Sequence, residues 1–563
     1  MRVDEALVAE FTRQGVRQVF GLMGEDTAKL LLLLPGAGIS YLSSRHESGS
    51  VGMADGYSRA SGDVGVAVLS RGPGLTNGLT AITTAARCGS RVLVIAADTA
   101  SVVPRSPSVA ATARLSHKYV NQAAALDAVG VAQVTLDDPA GAAADLAAVF
   151  ARVRSGLTMV VNVPMDILAA AYDEAAGSSV APVAARRAPD PVEIGNAADL
   201  LETTWAATHP VIVAGRGAVR SGAAPALRRL GEITGALMAT TVPAWGMFDG
   251  DPFDAGVMGT FSSSASSELF ARADVLLAFG ASLNRLTTYG NSLCPKARII
   301  HFDDDQEAFG KHVEAELVVH GDAGLAVTAL VEELARRGHH HDGYRTEAVA
   351  EKIATFDPRA EVRDQSDEEG LDPRILSIAL EDAIPAERNL VVDAGHYMAL
   401  LLPYMRISSP EALILPLDFG AIGSAAPLAT GAALARRDRL TVLAAGDGGF
   451  MMILAELDTA VRAHVPLLVL VYDDSAYGAE VQILASIGMP TAMARFEERS
   501  FDAIARAMGA EGMAVRTLDD VAALKARLVR PLDGVLLVDC RITTAVRADF
   551  MNAVALVTGQ AVK

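Results

Sequence analysis

The sequence predicts an α/β fold of three doubly wound domains with mostly parallel sheets, on the strength of three observations. The chain has 563 residues, several times the usual domain size. Hydrophobic residues make up 51% of it and charged residues 20%, which provides apolar surface for several packed cores. Short apolar runs typical of buried strands alternate with segments of helical period, and two stretches without a sustained period divide them into three units.

The first unit is predicted to span residues 1–170. An amphipathic helix opens it, and a strand at Gln18–Gly21 follows. A strand, a glycine loop, a helix and another strand come next within residues 65–98, and the apolar run Met159–Val163 closes the unit. Strands that alternate with helices in this way favour a doubly wound parallel sheet.

The second unit, residues 190–337, follows a linker at Ala169–Pro191 that is rich in Ala, Ser, Pro and Arg. Its predicted strands are Val211–Ala214, Ala236–Thr241, Val275–Phe279 and Ile299–Phe302. The run PVIVAGRG at residues 210–217 looks like the start of a dinucleotide fingerprint, but Arg220 stands where GxGxxG needs its third glycine. The signal for a bound dinucleotide is therefore weak.

A polar stretch at residues 338–372, predicted to be a linker or a surface helix, leads to the third unit, residues 373–563. Its predicted strands are Leu390–Asp393, Thr441–Ala445, Leu467–Tyr472 and Val535–Asp539. Between the second and third of these strands, apolar residues recur at helical spacing. We expect a right-handed crossover here, which makes both strands parallel and brings their carboxyl ends to one edge of the sheet.

Acidic residues follow both of these strands. The run GDGG lies at residues 446–449, and Asp473 and Asp474 follow the next strand. Backbone N–H groups in a glycine turn that opens a helix suit a phosphate, but a carboxylate beside them repels it unless a divalent cation lies between. We therefore interpret Asp447 and Asp474 as oxygen ligands of a Mg²⁺ or Ca²⁺ ion that also binds a diphosphate. The alternative is a β-turn followed by an acidic helix cap.

Asp447 and Asp474 lie 27 residues apart, and this arrangement resembles the GDG…NN signature of thiamine-diphosphate enzymes. The resemblance implies that both aspartates and the backbone carbonyl of Ala476 bind Mg²⁺. It also implies cofactor contacts from Gly446, Gly448, Gly449 and Tyr477. Asp473 and Asp474 stand where the family usually has two asparagines, so the added negative charge leaves metal affinity and choice of metal open.

A second stretch resembles the sequence segment that carries a functional carboxylic acid in the same family. The RHE tripeptide that ends at Glu47 precedes GMADGYSR at residues 52–59, similar to the family's RHE…ADGYAR. Thiamine diphosphate becomes reactive when a carboxylic acid donates a hydrogen bond to its aminopyrimidine ring, and the resemblance assigns this role to Glu47. The alternative is a strand-end glutamate that caps the next helix.

Two glycine turns extend the resemblance. The run GPGLTN at residues 72–77 is similar to the turn that lines the pyrimidine pocket in these enzymes, which implies contacts from Gly74 and Asn77. Gly420 and Ile422 match the family's GxMG segment, in which a bulky apolar residue forces the bent shape of the cofactor. Taken alone, the first run is an ordinary glycine–proline turn, and a core isoleucine would look the same in sequence.

Three residues are candidates for chemistry on the substrate side. Glu25 matches an acid of pyruvate decarboxylases in the loop after the first strand. His117 falls where decarboxylases have a histidine pair, and it could relay protons near neutral pH. Glu480 falls at the position of a proton-handling glutamate in pyruvate decarboxylases. A surface histidine and a glutamate on a helix surface are the alternatives for the last two.

Over nearly its whole length the chain resembles the acetolactate synthase and 2-oxo acid decarboxylase family. The resemblance implies a thiamine-diphosphate- and Mg²⁺-dependent enzyme that cleaves a C–C bond next to the carbonyl of a 2-oxo acid. The product is then protonated or joined to an acceptor aldehyde or ketone. A simple 2-oxo acid decarboxylase or an aldehyde lyase is the alternative, and a non-catalytic cofactor-binding subunit is a more remote one.

Middle domains in this family bind FAD, ADP or nothing, and we expect nothing here.

Charge and composition restrict the partners. A formal net charge of −19 disfavours nucleic acid and anionic membranes. Cys88, Cys294 and Cys540 follow no disulfide or metal spacing, and no signal peptide or bilayer-spanning run is found, so we expect a soluble cytoplasmic protein. The resemblance implies a homodimer or homotetramer in which Glu47 and Asp447 of different subunits form each active site.

Overall fold

The computed structural model describes residues 1–99, 116–172, 178–204, 209–548 and 551. They form three domains, each built on a six-stranded parallel sheet with flanking helices, which confirms the predicted fold class. Long apolar runs become strands that are buried on both faces: every residue of the strands at Gly65–Leu69, Pro210–Ala214, Val275–Phe279 and Leu467–Asp473 is buried. Among the described residues, no helix combines the length and the hydrophobicity needed to cross a bilayer.

The first domain contains strands β1 Gln18–Gly21, β2 Ser40–Ser43, β3 Gly65–Leu69, β4 Val92–Asp98, β5 Ala132–Thr135 and β6 Met159–Pro164. Its described helices are α1 Val3–Arg13, α2 Ala28–Leu33, α3 Glu47–Ser61, α4 Pro73–Arg87, α5 Gln122–Ala128, α6 Ala142–Arg154 and α7 Met165–Leu168. The strand order is β2-β1-β3-β4-β6-β5, and all five pairings are parallel.

The middle domain contains strands β7 Pro210–Ala214, β8 Leu237–Thr240, β9 Asp254–Val257, β10 Val275–Phe279, β11 Arg298–Asp303 and β12 Leu317–His320. Its described helices are α8 Pro191–Thr204, α9 Arg216–Arg220, α10 Ala224–Thr234, α11 Ser264–Phe270, α12 Ala323–Arg337 and α13 Glu347–Thr355. The order is β12-β11-β10-β7-β8-β9. Residues 338–355 pack on this domain, because the buried Tyr344 donates a hydrogen bond to the Leu269 carbonyl at 2.7 Å.

The third domain contains strands β13 Arg388–Val392, β14 Leu413–Ile414, β15 Leu440–Gly446, β16 Leu467–Asp473, β17 Glu511–Val515 and β18 Val535–Arg541. Its described helices are α14 Pro373–Ala383, α15 Met398–Leu401, α16 Ala425–Ala435, α17 Asp447–Met452, α18 Ala455–Arg462, α19 Gly478–Ser486, α20 Phe501–Ala507 and α21 Leu518–Leu528. The order β14-β13-β15-β16-β18-β17 repeats that of the first domain. The apolar period predicted one helical segment between β15 and β16, but the chain leaves the helical conformation at Ile453 and forms two helices.

The first and third domains meet through α3 and α16. A Cβ atom on Gly56 would collide with the Leu428 carbonyl, and one on Gly431 would collide with the Met53 carbonyl. The two helix backbones therefore touch, which only glycine permits at these positions. This contact fixes α3, and with it Glu47 at its first turn, against the third domain of the same chain.

Candidate active site

Asp447 and Asp474 meet at the carboxyl edge of the third sheet. Strands β15 and β16 are neighbours, with Gly446 paired to Tyr472, so the residues that follow them share one edge. The two carboxyl groups interact directly, and burial together with the charge of neighbouring aspartates raises the pKa of both. A cation between them would neutralise the pair.

Asp473 is held apart from this pair. Its buried carboxylate accepts hydrogen bonds from Arg541 Nη1 at 3.1 Å and from the Ser475 N–H at 2.9 Å. Arg541 therefore compensates the charge of Asp473. Asp474 is thus the member of the Asp-Asp pair that contacts Asp447, while the charge of Asp473 still contributes to the raised pKa of both.

Glycines shape the turns around the acid pair. A Cβ atom on Gly448 would lie 2.7 Å from the Tyr477 ring, and one on Gly478 would collide with the Asp474 carboxylate. Gly446 is the N-cap of α17 and has extended backbone angles. Since the first N–H groups of a helix lack partners within it, this turn presents backbone donors beside the two carboxyl groups.

Glu47 lies at the first turn of α3, at the carboxyl edge of the first sheet. Its side chain is only 8% exposed, and Asn77 Nδ2 donates a hydrogen bond to its Oε2 at 3.0 Å. A Cβ atom on Gly74 would lie 3.7 Å from Glu47 Oε1 and 2.6 Å from Ser70 Oγ. The structure thus brings together the three residues that the sequence assigns to the pyrimidine pocket.

Comparisons with known proteins bear on this arrangement. Three family models match successive parts of the chain: the N-terminal TPP binding domain at residues 1–103, the central domain of thiamine pyrophosphate enzymes at residues 194–330 and the C-terminal TPP binding domain at residues 393–540. The sequence is 30% identical to a sulfoacetaldehyde acetyltransferase of Alcaligenes xylosoxydans over 92% of this chain and 89% of that protein. The chain belongs to the thiamine-diphosphate-dependent enzymes.

Other relatives of this thiamine-diphosphate enzyme differ in the reaction their names describe. It is 28% identical to an acetolactate synthase large subunit of Parasynechococcus marenigrum, over 91% of this chain and 82% of that protein. It is 30% identical to a probable 2-ketoarginine decarboxylase of Pseudomonas aeruginosa, over 85% of this chain and 83% of that protein. The relatives thus include transferases and decarboxylases, and thiamine diphosphate is the cofactor of the family.

The acid pair fits the metal that such an enzyme would need to hold a diphosphate. Carboxylate and carbonyl oxygens are the ligands that Mg²⁺ prefers. A short antiparallel bridge uses the Ser475 carbonyl and the Tyr477 N–H, and so leaves the Ala476 carbonyl out of its hydrogen bonds. Within the described ranges, no three or more His, Cys, Asp and Glu side chains form a metal site by themselves. Diphosphate and water oxygens would complete the ligand set around Asp447, Asp474 and Ala476.

The loop at residues 418–423 suits the thiazolium side of the cofactor. Gly420 and Gly423 have φ angles of 73° and 71°, in the left-handed region that favours glycine. Between them Ile422 is 39% exposed. A core isoleucine, the alternative reading of the sequence, would be buried. The exposed side chain fits the residue that wedges between the two rings of thiamine diphosphate.

Asp393 is a residue of this edge that sequence reasoning missed. It is buried beyond the end of β13, and its carboxylate accepts hydrogen bonds from the Gly423 N–H at 2.8 Å and the Ala394 N–H at 3.0 Å. Burial raises its pKa to about 6. A Cβ atom on Gly449 would lie 3.1 Å from its Oδ2. Its position at the end of a predicted strand was the only available signal.

Glu456, on α18, is a second residue that the sequence did not single out. Its Oε1 accepts hydrogen bonds from the Arg45 N–H at 3.0 Å and the His46 N–H at 2.8 Å, directly before Glu47. The side chain is 1% exposed, and a Cβ atom on Gly49 would collide with its carboxylate. Glu456 therefore fixes the turn that carries Glu47.

The three candidates on the substrate side have different surroundings. Glu25 accepts hydrogen bonds from Lys118 Nζ at 3.0 Å and Arg71 Nη2 at 3.1 Å, and these cations, Lys118 most strongly, lower its pKa. His117 is exposed in the turn before Lys118, and Glu480 is exposed in the first turn of α19. All three side chains are exposed, and Glu25 has the cationic partners Lys118 and Arg71.

Proposed function

We propose that this protein is a Mg²⁺-dependent thiamine-diphosphate enzyme that cleaves a C–C bond next to the carbonyl of a 2-oxo acid. The product is protonated or joined to an acceptor aldehyde or ketone. The single observation that carries the proposal is the contact between the carboxyl groups of the buried Asp447 and the half-buried Asp474. Two acids this close at one sheet edge repel each other, and a cation between them would remove that repulsion. That cation would in turn attract a diphosphate.

Each part of the proposed site has a role. The bound cofactor supplies a carbon nucleophile that also accepts the electron pair of the broken bond. Glu47 donates a hydrogen bond to its aminopyrimidine ring, and Asn77 orients that carboxyl group. Asp447, Asp474 and the Ala476 carbonyl hold the metal. A further set lines the cofactor: Gly74, Gly420, Ile422, Gly446, Gly448, Gly449 and Tyr477.

Carboligation is the reaction that we favour over simple decarboxylation. Lys118 and Arg71 lower the pKa of the exposed Glu25, which disfavours it as the source of the proton that a decarboxylase must add to its product. The similarity to a sulfoacetaldehyde acetyltransferase over 92% of the chain supports a transfer reaction. Simple decarboxylation stays the second candidate, supported by the similarity to a 2-ketoarginine decarboxylase, and Glu480 and His117 are its proton donors.

The proposed assembly is a homodimer, or a pair of dimers, in which Glu47 of one chain faces Asp447 of another. Exposed apolar side chains around the metal edge support a covered surface: Phe419, Ile422, Met451, Met452 and Phe496. Such side chains are common in the centres of interfaces. Three free cysteines support a reducing, cytoplasmic location.

Two measurements test the proposal. Calorimetric titration with thiamine diphosphate should give binding with Mg²⁺ and none with a chelator, and equal binding in both conditions would refute the metal site. Assays with pyruvate, with and without sulfoacetaldehyde, should then yield a joined product rather than free aldehyde. Release of carbon dioxide with free aldehyde as the other product would favour the decarboxylase. Cofactor binding without any turnover would favour the non-catalytic subunit.

A further inference from the structure

The glycine turn of the middle domain, at residues 215–217, packs against the protein's own backbone. It follows β7, at the point where the strand order of the sheet reverses, which is where α/β proteins often bind nucleotides. A Cβ atom on Gly215 would collide with the Gly280 carbonyl, and one on Gly217 would lie 2.7 Å from Gly280 Cα. Close packing against the end of β10 therefore accounts for both glycines of the run PVIVAGRG.

The arginines of the same turn reach the other two domains. Arg216 Nη1 donates a hydrogen bond to the Arg87 carbonyl of the first domain at 2.9 Å, and its Nη2 forms an ion pair with Asp418 of the third domain. Arg220 Nη2 donates to the Gly89 carbonyl at 2.7 Å. Arg216 thus joins all three domains through one guanidinium group, whose planar fork suits two acceptors at once.

Asp418 is the first residue of the loop 418–423 that carries the wedge residue. The next residue, Phe419, has the Arg87 guanidinium 5.2 Å from its ring centroid, a cation–π geometry. At the far end of the loop, Asp393 accepts the hydrogen bond from the Gly423 N–H. One residue from each domain therefore holds this loop: Arg216, Arg87 and Asp393.

We infer that Arg216 is a positioning residue, which acts through Asp418 to hold the loop 418–423 in the conformation that accepts thiamine diphosphate. The inference rests on the proposed function, since it takes Ile422 as a cofactor contact. Arg216 is 30% exposed and Asp418 39%, so the ion pair is partly screened. A pair of this kind changes an equilibrium constant up to about fivefold, and the added bond to the Arg87 carbonyl extends the expected effect to about tenfold.

The test is calorimetric titration of thiamine diphosphate with Mg²⁺ into the full-length protein and its variants. Arg216→Gln should weaken cofactor binding about five- to tenfold, with kcat at saturating cofactor within about twofold of wild type. Arg216→Lys keeps the charge but not the forked geometry, so its affinity should be intermediate. Asp418→Asn should weaken binding up to about fivefold, because the bond from Arg216 to the Arg87 carbonyl remains, and the double variant should be no weaker than Arg216→Gln.

Arg229→Gln is the matched control, because it removes an ion pair with Glu232 on the surface of the same domain and should leave the affinity unchanged. Wild-type affinity in Arg216→Gln would overturn the inference. So would additive losses in the double variant. Binding of ADP that Arg216→Gln abolishes would instead place Arg216 in a nucleotide site. Failure of the wild type to bind thiamine diphosphate would contradict the proposed function itself.

Discussion

The first and third domains use the same strand order, and in both the third strand leads through a glycine turn into a helix at the catalytic edge. After β3 this turn carries Arg71, and after β15 it carries Asp447. The Arg71 N–H donates a hydrogen bond to Asp26 Oδ2 at 3.0 Å, and its side chain bonds to Glu25. Asp447 instead meets another acid.

Because of this difference, the two edges have different roles in the proposed active site. At the edge of the first domain, acids and bases pair with one another, so it needs no added ion and can present the single acid Glu47. At the edge of the third domain, the acids Asp447 and Asp474 lie together, and in the proposed function a cation neutralises them. In the proposed function, one scaffold would therefore bind the two halves of one cofactor, and the charge of a few turn residues would decide which half.

The largest expected effect comes from the third-domain edge. Asp447→Ala removes a metal ligand, so Mg²⁺-dependent retention of thiamine diphosphate should be lost, a change of more than about a hundredfold in affinity. Calorimetry with Mg²⁺ measures it. Asp458→Asn, on the exposed face of the nearby α18, is the control and should bind normally. If Asp447→Ala retained thiamine diphosphate as well as the wild type, the third-domain edge would not be the metal site that distinguishes it from the first-domain edge.

The acid of the first-domain edge should affect turnover without affecting binding. Glu47→Gln keeps the shape of the side chain and its bond to Asn77, but the amide cannot supply the acid. We expect the rate of 2-oxo acid consumption to fall by about a hundredfold or more, with cofactor affinity within a few fold. Steady-state kinetics at saturating cofactor test this prediction. Full activity would remove Glu47 from its assigned role.

A smaller effect should follow from the residue that links the two edges. Glu456→Gln weakens the acceptor for the Arg45 and His46 N–H groups, so the turn before Glu47 should loosen. We expect kcat to fall about tenfold and cofactor affinity to stay near wild type. The control Asp458→Asn weakens the ion pairs with Arg45 and Arg462 but leaves the bonds that Glu456 accepts, so it should keep its kcat. Equal losses in both variants would contradict the positioning role.

The smallest effect concerns stability without metal and cofactor. The raised pKa values of Asp447 and Asp474 mean that the folded apoprotein binds protons that the unfolded chain has already lost above about pH 4. Stability should therefore fall as the pH rises through these values. Asp474→Asn removes the repulsion, so its melting temperature in EDTA at pH 8 should be about 2–4 °C higher, with a weaker pH dependence. If the melting temperatures of wild type and Asp474→Asn changed with pH in the same way between pH 5 and 8, this prediction would be wrong.

Local patterns were sufficient to predict much of the fold and part of the site. Continuous apolar runs specify buried parallel strands whatever surrounds them, and the glycine turns at 72–77 and 446–449 follow strands as expected. The edge strands of the three sheets escaped prediction, namely β2, β5, β9, β12, β14 and β17. Leu413–Ile414 is only two residues long, and the first half of Glu511–Val515 is exposed or half-buried. Such edge strands depend on pairing with a neighbour more than on their own sequence.

By itself the sequence determined which residues end neighbouring strands, and therefore that Asp447 and Asp474 share an edge, since parallel crossovers have one hand. Only the tertiary structure decided the contacts between domains. Glu456 reaches the turn before Glu47 across about 410 residues of chain, and Arg216 reaches Asp418 across about 200. No local period encodes such pairs, because they depend on how the helices α3 and α16 and the three sheets pack together.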